Sequence, residues 1–279
     1  MKEEEEPKLY QLDINMICRE DGILKFAGSE LLSAFKRAIR SMDPMASRIL
    51  DSSYSSEMVV SPPMPSVPWR AWCGTQEFQV SSGDSLEARV VLFNGNLFNP
   101  LRVWLLKKPV MRLGEISLEV RDTFWSEYTY DSLMTREPLR SFRIKFLTPT
   151  CLRKASTVYC DLYPNPRKML FSLSALWNLR SPIKCPRPKI ISTWAALSIV
   201  ETGYELCTSR PIPLGVGKSV VGFVGWVNYK VIEYPGWERE AHSSMAAWAN
   251  TLFRFGEMCG VGVGRSIGFG KIHLELKKQ

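Results

Sequence analysis

Histidine is nearly missing from this chain: His242 and His273 are the two imidazoles in 279 residues. The seven cysteines (18, 73, 151, 160, 185, 207 and 259) form no Cys-x-x-Cys pair. So few nitrogen ligands and no paired thiols argue against a zinc site, and the cysteines are expected as scattered buried thiols in a reducing compartment. No apolar run reaches the length of a membrane span. The start, Met1-Lys2-Glu3-Glu4-Glu5-Glu6-Pro7, has no hydrophobic signal region. The expectation is a soluble, cytoplasmic protein with no membrane partner, no metal and no cofactor.

What is present is a full globular composition, 45% hydrophobic and 11% aromatic, long enough for one large or two ordinary domains. Against 28 Asp and Glu stand 36 Lys and Arg, a net charge of +8, which favours a polyanionic partner without identifying it. The stretch Cys259-Gly260-Val261-Gly262-Val263-Gly264-Arg265-Ser266-Ile267-Gly268-Phe269-Gly270-Lys271 gives that charge a focus, since five of its residues are glycine and its polar members are basic or hydroxylic. Dense glycine lets the backbone take positive φ repeatedly and turn successive N–H groups toward one anion. Arg265 adds a fork of donors to the same anion.

Order matters here. Met245, Trp248, Ala249, Leu252, Phe255 and Gly256 recur at helical spacing before the loop, with Ser243 or Ser244 as N-cap. Ile272, Leu274 and Leu276 alternate with polar residues after it, as in a strand with one buried face. Dinucleotide and P-loop sites run strand, loop, helix, so both readings weaken. A second temptation, Leu214-Gly215-Val216-Gly217-Lys218-Ser219, fails as a P-loop because position 212 is isoleucine and the following residues are strand-like. It reads better as a hairpin carrying Lys218 toward phosphate, against a surface turn of no function.

The loop between last helix and last strand resembles the C-terminal glycine-rich motif of the CRISPR-associated RAMP proteins, most of all the endoribonuclease that cuts CRISPR repeat RNA. Phe146-Leu147-Thr148-Pro149-Thr150-Cys151-Leu152 is similar to the segment after the first strand of that family's second domain, and Lys218–Val227 to its basic, glycine-broken hairpin. The match is strong over residues 140–279 and loose before them. The resemblance implies an α+β fold of two tandem ferredoxin-like domains, residues 1–128 and 138–279, with RNA over the cleft between them. It implies CRISPR repeat RNA (and the mature crRNA) as partner, with a homodimer and association with an effector complex as further partners. The phosphate-binding set is Gly260, Gly262, Gly264, Arg265, Ser266, Gly268, Gly270, Lys271 and Lys218.

In chain order, strands are read at Leu9–Ile17, Gln76–Ser82, Leu86–Asn94 and Glu115–Phe124. A helix opens at Gly28-Ser29, with a second around Leu101–Leu105. The proline-rich stretch from Met42 to Trp72 reads as irregular and Trp125–Arg140 as a polar linker. Strand, helix, two strands, helix, strand is the ferredoxin-like pattern. The pattern returns after the linker with a strand at Ser141–Leu147, helices near Leu170–Leu179 and Ser192–Tyr204, a strand at Gly222–Ile232, and the closing helix and strand.

Many members of that family use a histidine from the first domain, and this chain has none there. RNA supplies its own nucleophile, the 2′-hydroxyl, so cleavage needs alignment, proton removal and charge stabilisation rather than a metal. On the first helix Lys36, Arg37 and Arg40 share a polar face opposite Leu31, Phe35, Ala38 and Ile39. They are the candidate catalytic groups, with Lys25 and Tyr54 in support; the bland reading is a solvated helix face. His242 and His273 read as structural. The competing functions are a non-catalytic RAMP subunit holding guide RNA and an unrelated small-molecule enzyme with a glycine lid.

Overall fold

The computed structural model describes residues 7–52, 57–65, 68–75, 77–153, 157, 159–215 and 218–277. It is a mixed α+β protein of two compact units. The first comprises residues 1–68, 75–129 and 266–268; the second comprises residues 69–74, 130–265 and 269–279.

The first unit is built on β1 (Lys8–Cys18), α1 (Gly28–Met42), β2 (Met58–Met64), β3 (Ser85–Leu92), α2 (Phe98–Leu106), β4 (Val110–Leu113) and β5 (Ile116–Thr129). Its sheet runs β2-β3-β1-β5-β4, antiparallel throughout. Alternation sends Leu12, Ile14 and Met16 of β1 into the core, where Leu31, Phe35 and Ile39 of α1 meet the sheet. Phe35 sets its ring edge-on to Trp104 of α2, centroids 6.3 Å apart.

The second unit contains β6 (Ser141–Thr150), α3 (Pro166–Arg180), α4 (Pro188–Ser198), β7 (Ile199–Thr208), a short ribbon of β8 (Ile212–Gly215) and β9 (Lys218–Val220), β10 (Phe223–Val231), α5 (Arg239–Cys259) and β11 (Ile272–Leu276). Its sheet runs β7-β10-β6-β11. Leaving aside the extra edge strand β4, both units order their four principal strands second, third, first, fourth. The core is aromatic: Trp177 of α3 packs edge-on against Tyr130, Phe255 and Trp248, at 5.2, 5.3 and 6.0 Å. Phe142 and Phe253 meet at 5.5 Å beneath the sheet.

Several local expectations are corrected. The stretch after Met42 is not irregular: a helix covers Pro44–Ser52, and β2 follows despite Pro62 and Pro63. β2 is an edge strand paired on one side only, where a missing N–H is tolerated. The supposed linker at 125–129 continues β5, because Trp125 and Glu127 pair with Leu12 and Tyr10 of β1. The helix read through Tyr204 stops at Ser198, and Ile199–Thr208 pairs with β10 instead. The last helix begins at Arg239 with Glu238 as N-cap, ahead of the serines expected there.

Four cysteines are paired rather than free: Cys73 with Cys207, and Cys151 with Cys160. The first pair, with the Arg70–Glu205 ion pair and the Trp72 Nε1–H bond to Leu147 O (3.1 Å), fastens residues 69–74 to the second unit's sheet. Cys18, Cys185 and Cys259 are buried thiols.

Trp177→Ala removes the ring that joins three aromatic neighbours and is expected to cost about 3–5 kcal/mol. Urea unfolding measures it, and a loss below about 1 kcal/mol would contradict this packing.

Candidate nucleic-acid interface

The glycine segment leaves α5 at Gly260, whose φ of 72° ends the helix in a conformation that side chains resist. All five predicted glycines of the segment take positive φ. A Cβ on Gly262 would overlap the Cys151 carbonyl, and one on Gly270 would overlap the Val261 carbonyl. The segment is therefore a tightly packed double-back held by its own amides. Val261 N–H donates to Gly270 O (2.9 Å), Val263 to Cys151 O (2.9 Å), Gly270 to Pro149 O (3.0 Å) and Phe269 to Gly264 O (3.2 Å). Gly260 N–H donates to Gly256 O at 2.8 Å and Lys271 N–H to Thr148 Oγ1 at 2.9 Å.

Those six amides cannot serve a phosphate at the same time, so the cradle read from the sequence contracts to Gly262 and the turn at 264–267. Arg265 and Ser266 sit in that turn, both half-buried. Nη1 of Arg265 is enclosed and has no hydrogen-bond partner among the described residues. A guanidinium donor held out of water without an acceptor is a costly arrangement that an anion would relieve. Burial pushes the neighbouring Cys259 thiol up to about 12, with the Arg265 charge pulling the other way. Lys218 lies in the β8–β9 ribbon, paired with Gly215; its side chain is outside the described set.

The tip of the segment, Ser266–Gly268, is grouped with the first unit. There Ile267 reaches the start of α1, where a Cβ on Gly28 would overlap the Ile267 carbonyl, and Gly268 lies against Val60 and Pro62. One turn and more along α1, a cleft of about 310 Å³ is lined by Ser29, Glu30, Ser33, Arg37 and Arg112. Ser33 Oγ donates to Ser29 O at 2.8 Å. Arg37 is thus brought to a second arginine that the sequence reading missed. The strand Val110-Met111-Arg112-Leu113, exposed and buried by turns and followed by the turn at Gly114, is too short to have announced it in the sequence.

The other predicted catalytic residues fall differently. Lys36 is half-buried on a neighbouring side of α1, and Arg40 is exposed one turn beyond Arg37; neither lines the cleft. Lys25 is paired with Glu77 at 3.3 Å, and Tyr54 lies outside the described residues. Both imidazoles are engaged locally. His273 Nδ1 and the Leu274 N–H share Glu257 Oε1, at 2.8 and 2.9 Å, while His242 Nε2 lies 2.9 Å from Ile232 O. Among the described residues no group of three or more His, Cys, Asp or Glu side chains could hold a metal ion, and no helix is long and apolar enough to cross a membrane.

The fold is similar to that of solved CRISPR-associated Cas6 proteins. Residues 144–272 match the family model of the CRISPR-associated endoribonuclease Cas6. A CRISPR-associated endoribonuclease Cas6 of Mycobacterium tuberculosis is 26% identical over 140 residues, which is 50% of this chain and 40% of that relative's length. Among solved structures, a Cas6 product complex, of a protein from Thermus thermophilus, has a TM-score of 0.71 at 18% identity, covering 95% of this chain and 98% of that one. A second Cas6 product complex has a TM-score of 0.68 at 24% identity, covering 96% and 99%. A Cas6-related protein from Pyrococcus furiosus has a TM-score of 0.60 at 13% identity, covering 97% and 100%.

Gly270→Ala is expected to destabilise the free protein by at least about 1–3 kcal/mol, through positive φ and overlap with Val261 O. Thermal unfolding without RNA checks this. An unchanged melting temperature would show that the glycines are not needed for folding.

Proposed function

We propose that this protein is an endoribonuclease that processes CRISPR repeat RNA, built of two tandem ferredoxin-like domains. The shared strand order of the two units supports the fold reading. The observation that carries the functional reading is the meeting of Arg37 and Arg112 in a cleft that also takes in Ser29 and Glu30, on the helix whose first residue the tip of the glycine segment touches. Two guanidinium forks there match the charge that gathers on a phosphorane.

In this reading the turn at 264–267, Arg265 and the ribbon bearing Lys218 hold the RNA backbone, and the scissile phosphate enters the α1 cleft. The 2′-hydroxyl attacks in line and the bond to the 5′-oxygen breaks; the departing oxygen takes a proton from solvent, leaving a 2′,3′-cyclic phosphate and a 5′-hydroxyl. Glu30, in the first turn of α1, lines the cleft and accepts the 2′-hydroxyl proton. Arg37 and Arg112 stabilise the phosphorane, with the Ser29 hydroxyl as a further donor. Lys36 and Arg40 continue the positive face along α1 and hold flanking phosphates. The step uses no metal, and no histidine takes part in it.

Purified protein is expected to cleave a labelled repeat RNA in excess EDTA and to leave intact the same RNA with a 2′-deoxy nucleotide at the cut site. Arg37→Ala and Arg112→Ala should each slow cleavage by about 10²–10³. Undiminished cleavage in both variants would overturn the site. Tight binding without cleavage by the unaltered protein would favour a guide-holding subunit instead.

Arg265→Ala should weaken RNA binding for all sequences and flatten its salt dependence by close to one phosphate contact. Unchanged affinity at moderate salt would remove the loop from the interface.

A further inference from the structure

At the end of α5 remote from the glycine segment, the second unit carries a cleft of about 820 Å³. It is bounded by the beginning of β6, the end of β10, the loop at 233–237 and the first turn of α5. Arg140, Lys230 and Arg239 line it with exposed side chains, against one lining carboxylate, Glu233. The same lining includes two aromatic rings, Tyr234, 40% exposed, and Trp237, half-buried. His242 borders the same cleft, fixed by its 2.9 Å contact with Ile232 O and by the edge-on ring of Trp194 at 5.6 Å.

The chemistry selects a ligand. Cations together with aromatic rings suit a polymer that alternates phosphate and base, with the rings stacking on bases and the cations taking the backbone. A duplex keeps its bases stacked inside and offers these rings nothing, and a lone anion has no use for them. α5 spans 21 residues between this cleft and Gly260, which is about 30 Å at 1.5 Å per residue. At about 3.4 Å per stacked nucleotide that distance is about nine nucleotides, and fewer for an extended strand.

We infer that this cleft binds a single-stranded segment of the same RNA that the glycine segment holds, up to about nine nucleotides away, without reading its sequence. The inference rests on the RNA-processing reading above and adds a second anchor to it.

The test compares two uncleavable, 2′-deoxy repeat RNAs, one trimmed to its hairpin and one extended by about twelve uridines at either end. The intact protein is expected to bind the extended RNA at least about tenfold more tightly. Lys230→Glu and Trp237→Ala should each remove about five- to a hundredfold of affinity for the extended RNA and leave hairpin affinity unchanged. Lys230 is exposed, so its variant is not at risk of misfolding. An extension that adds nothing, or variants that retain its benefit, would overturn the inference. Equal losses on both RNAs would overturn it too, since the cleft would not be a separate anchor. Should oligoglutamate displace the extended RNA as well as oligouridine does, the cleft is an acidic-peptide site and the inference fails. If the intact protein binds neither RNA, the RNA-processing reading itself falls.

Discussion

Backbone touching backbone is what the candidate interface depends on. Gly262 lies so close to the Cys151 carbonyl, and Gly270 to the Val261 carbonyl, that a single methyl group at either position would have to push the chain apart. The closeness lets Val263 and Gly270 donate to the end of β6, which fixes both arms of the segment to the sheet. With the arms fixed, the turn at 264–267 between them is fixed too. The same constraint recurs at the tip, where Gly28 admits the Ile267 carbonyl because it has no side chain. Rigidity of this kind matters for catalysis, since an in-line displacement tolerates little misplacement of the phosphate.

Charge is then distributed in two ways. Many cations are already neutralised by neighbours: Lys25 by Glu77, Arg89 by Asp13, Lys145 by Glu275 and Lys168 by Asp161. Exposed pairs of this kind contribute little to stability and hold their cations away from other partners. Arg265 is different, because its Nη1 is enclosed and has no acceptor among the described residues; in the Arg37–Arg112 cleft two guanidinium groups stand beside the Glu30 carboxylate, and Glu20 also interacts with Arg112. A net charge of +8 is therefore a weaker clue than the places where the individual cations lie.

The principal helices and strands were legible because their apolar periods are clean. β1 alternates cleanly from Leu12 to Cys18, and α1 carries Leu31, Phe35, Ala38 and Ile39 on one stripe. The glycine segment was legible as a feature but not as a mechanism: sequence shows that the backbone can turn, not that six of its amides are already spent within the fold. β7 was lost because the apolar run Trp194–Val200, broken only by Ser198, crosses the boundary between helix and strand, and pairing with β10 decides where the helix stops. β2 was hidden by its prolines, which an edge strand accepts. Arg112 was missed because a four-residue strand is too short to show a period. The Cys73–Cys207 disulfide could not be read, since its cysteines are 134 residues apart in sequence and adjacent only in the fold.

The central claim is that the scissile phosphate lies between Arg37 and Arg112. It is tested most directly by a repeat RNA that is 2′-deoxy at the cut site and carries a photoreactive group on the nucleotide next to it. After irradiation, the linked peptides are identified by mass spectrometry. The account predicts links within residues 28–42 of α1 or within 110–113. Links found only elsewhere in the chain, at saturating RNA, would contradict it.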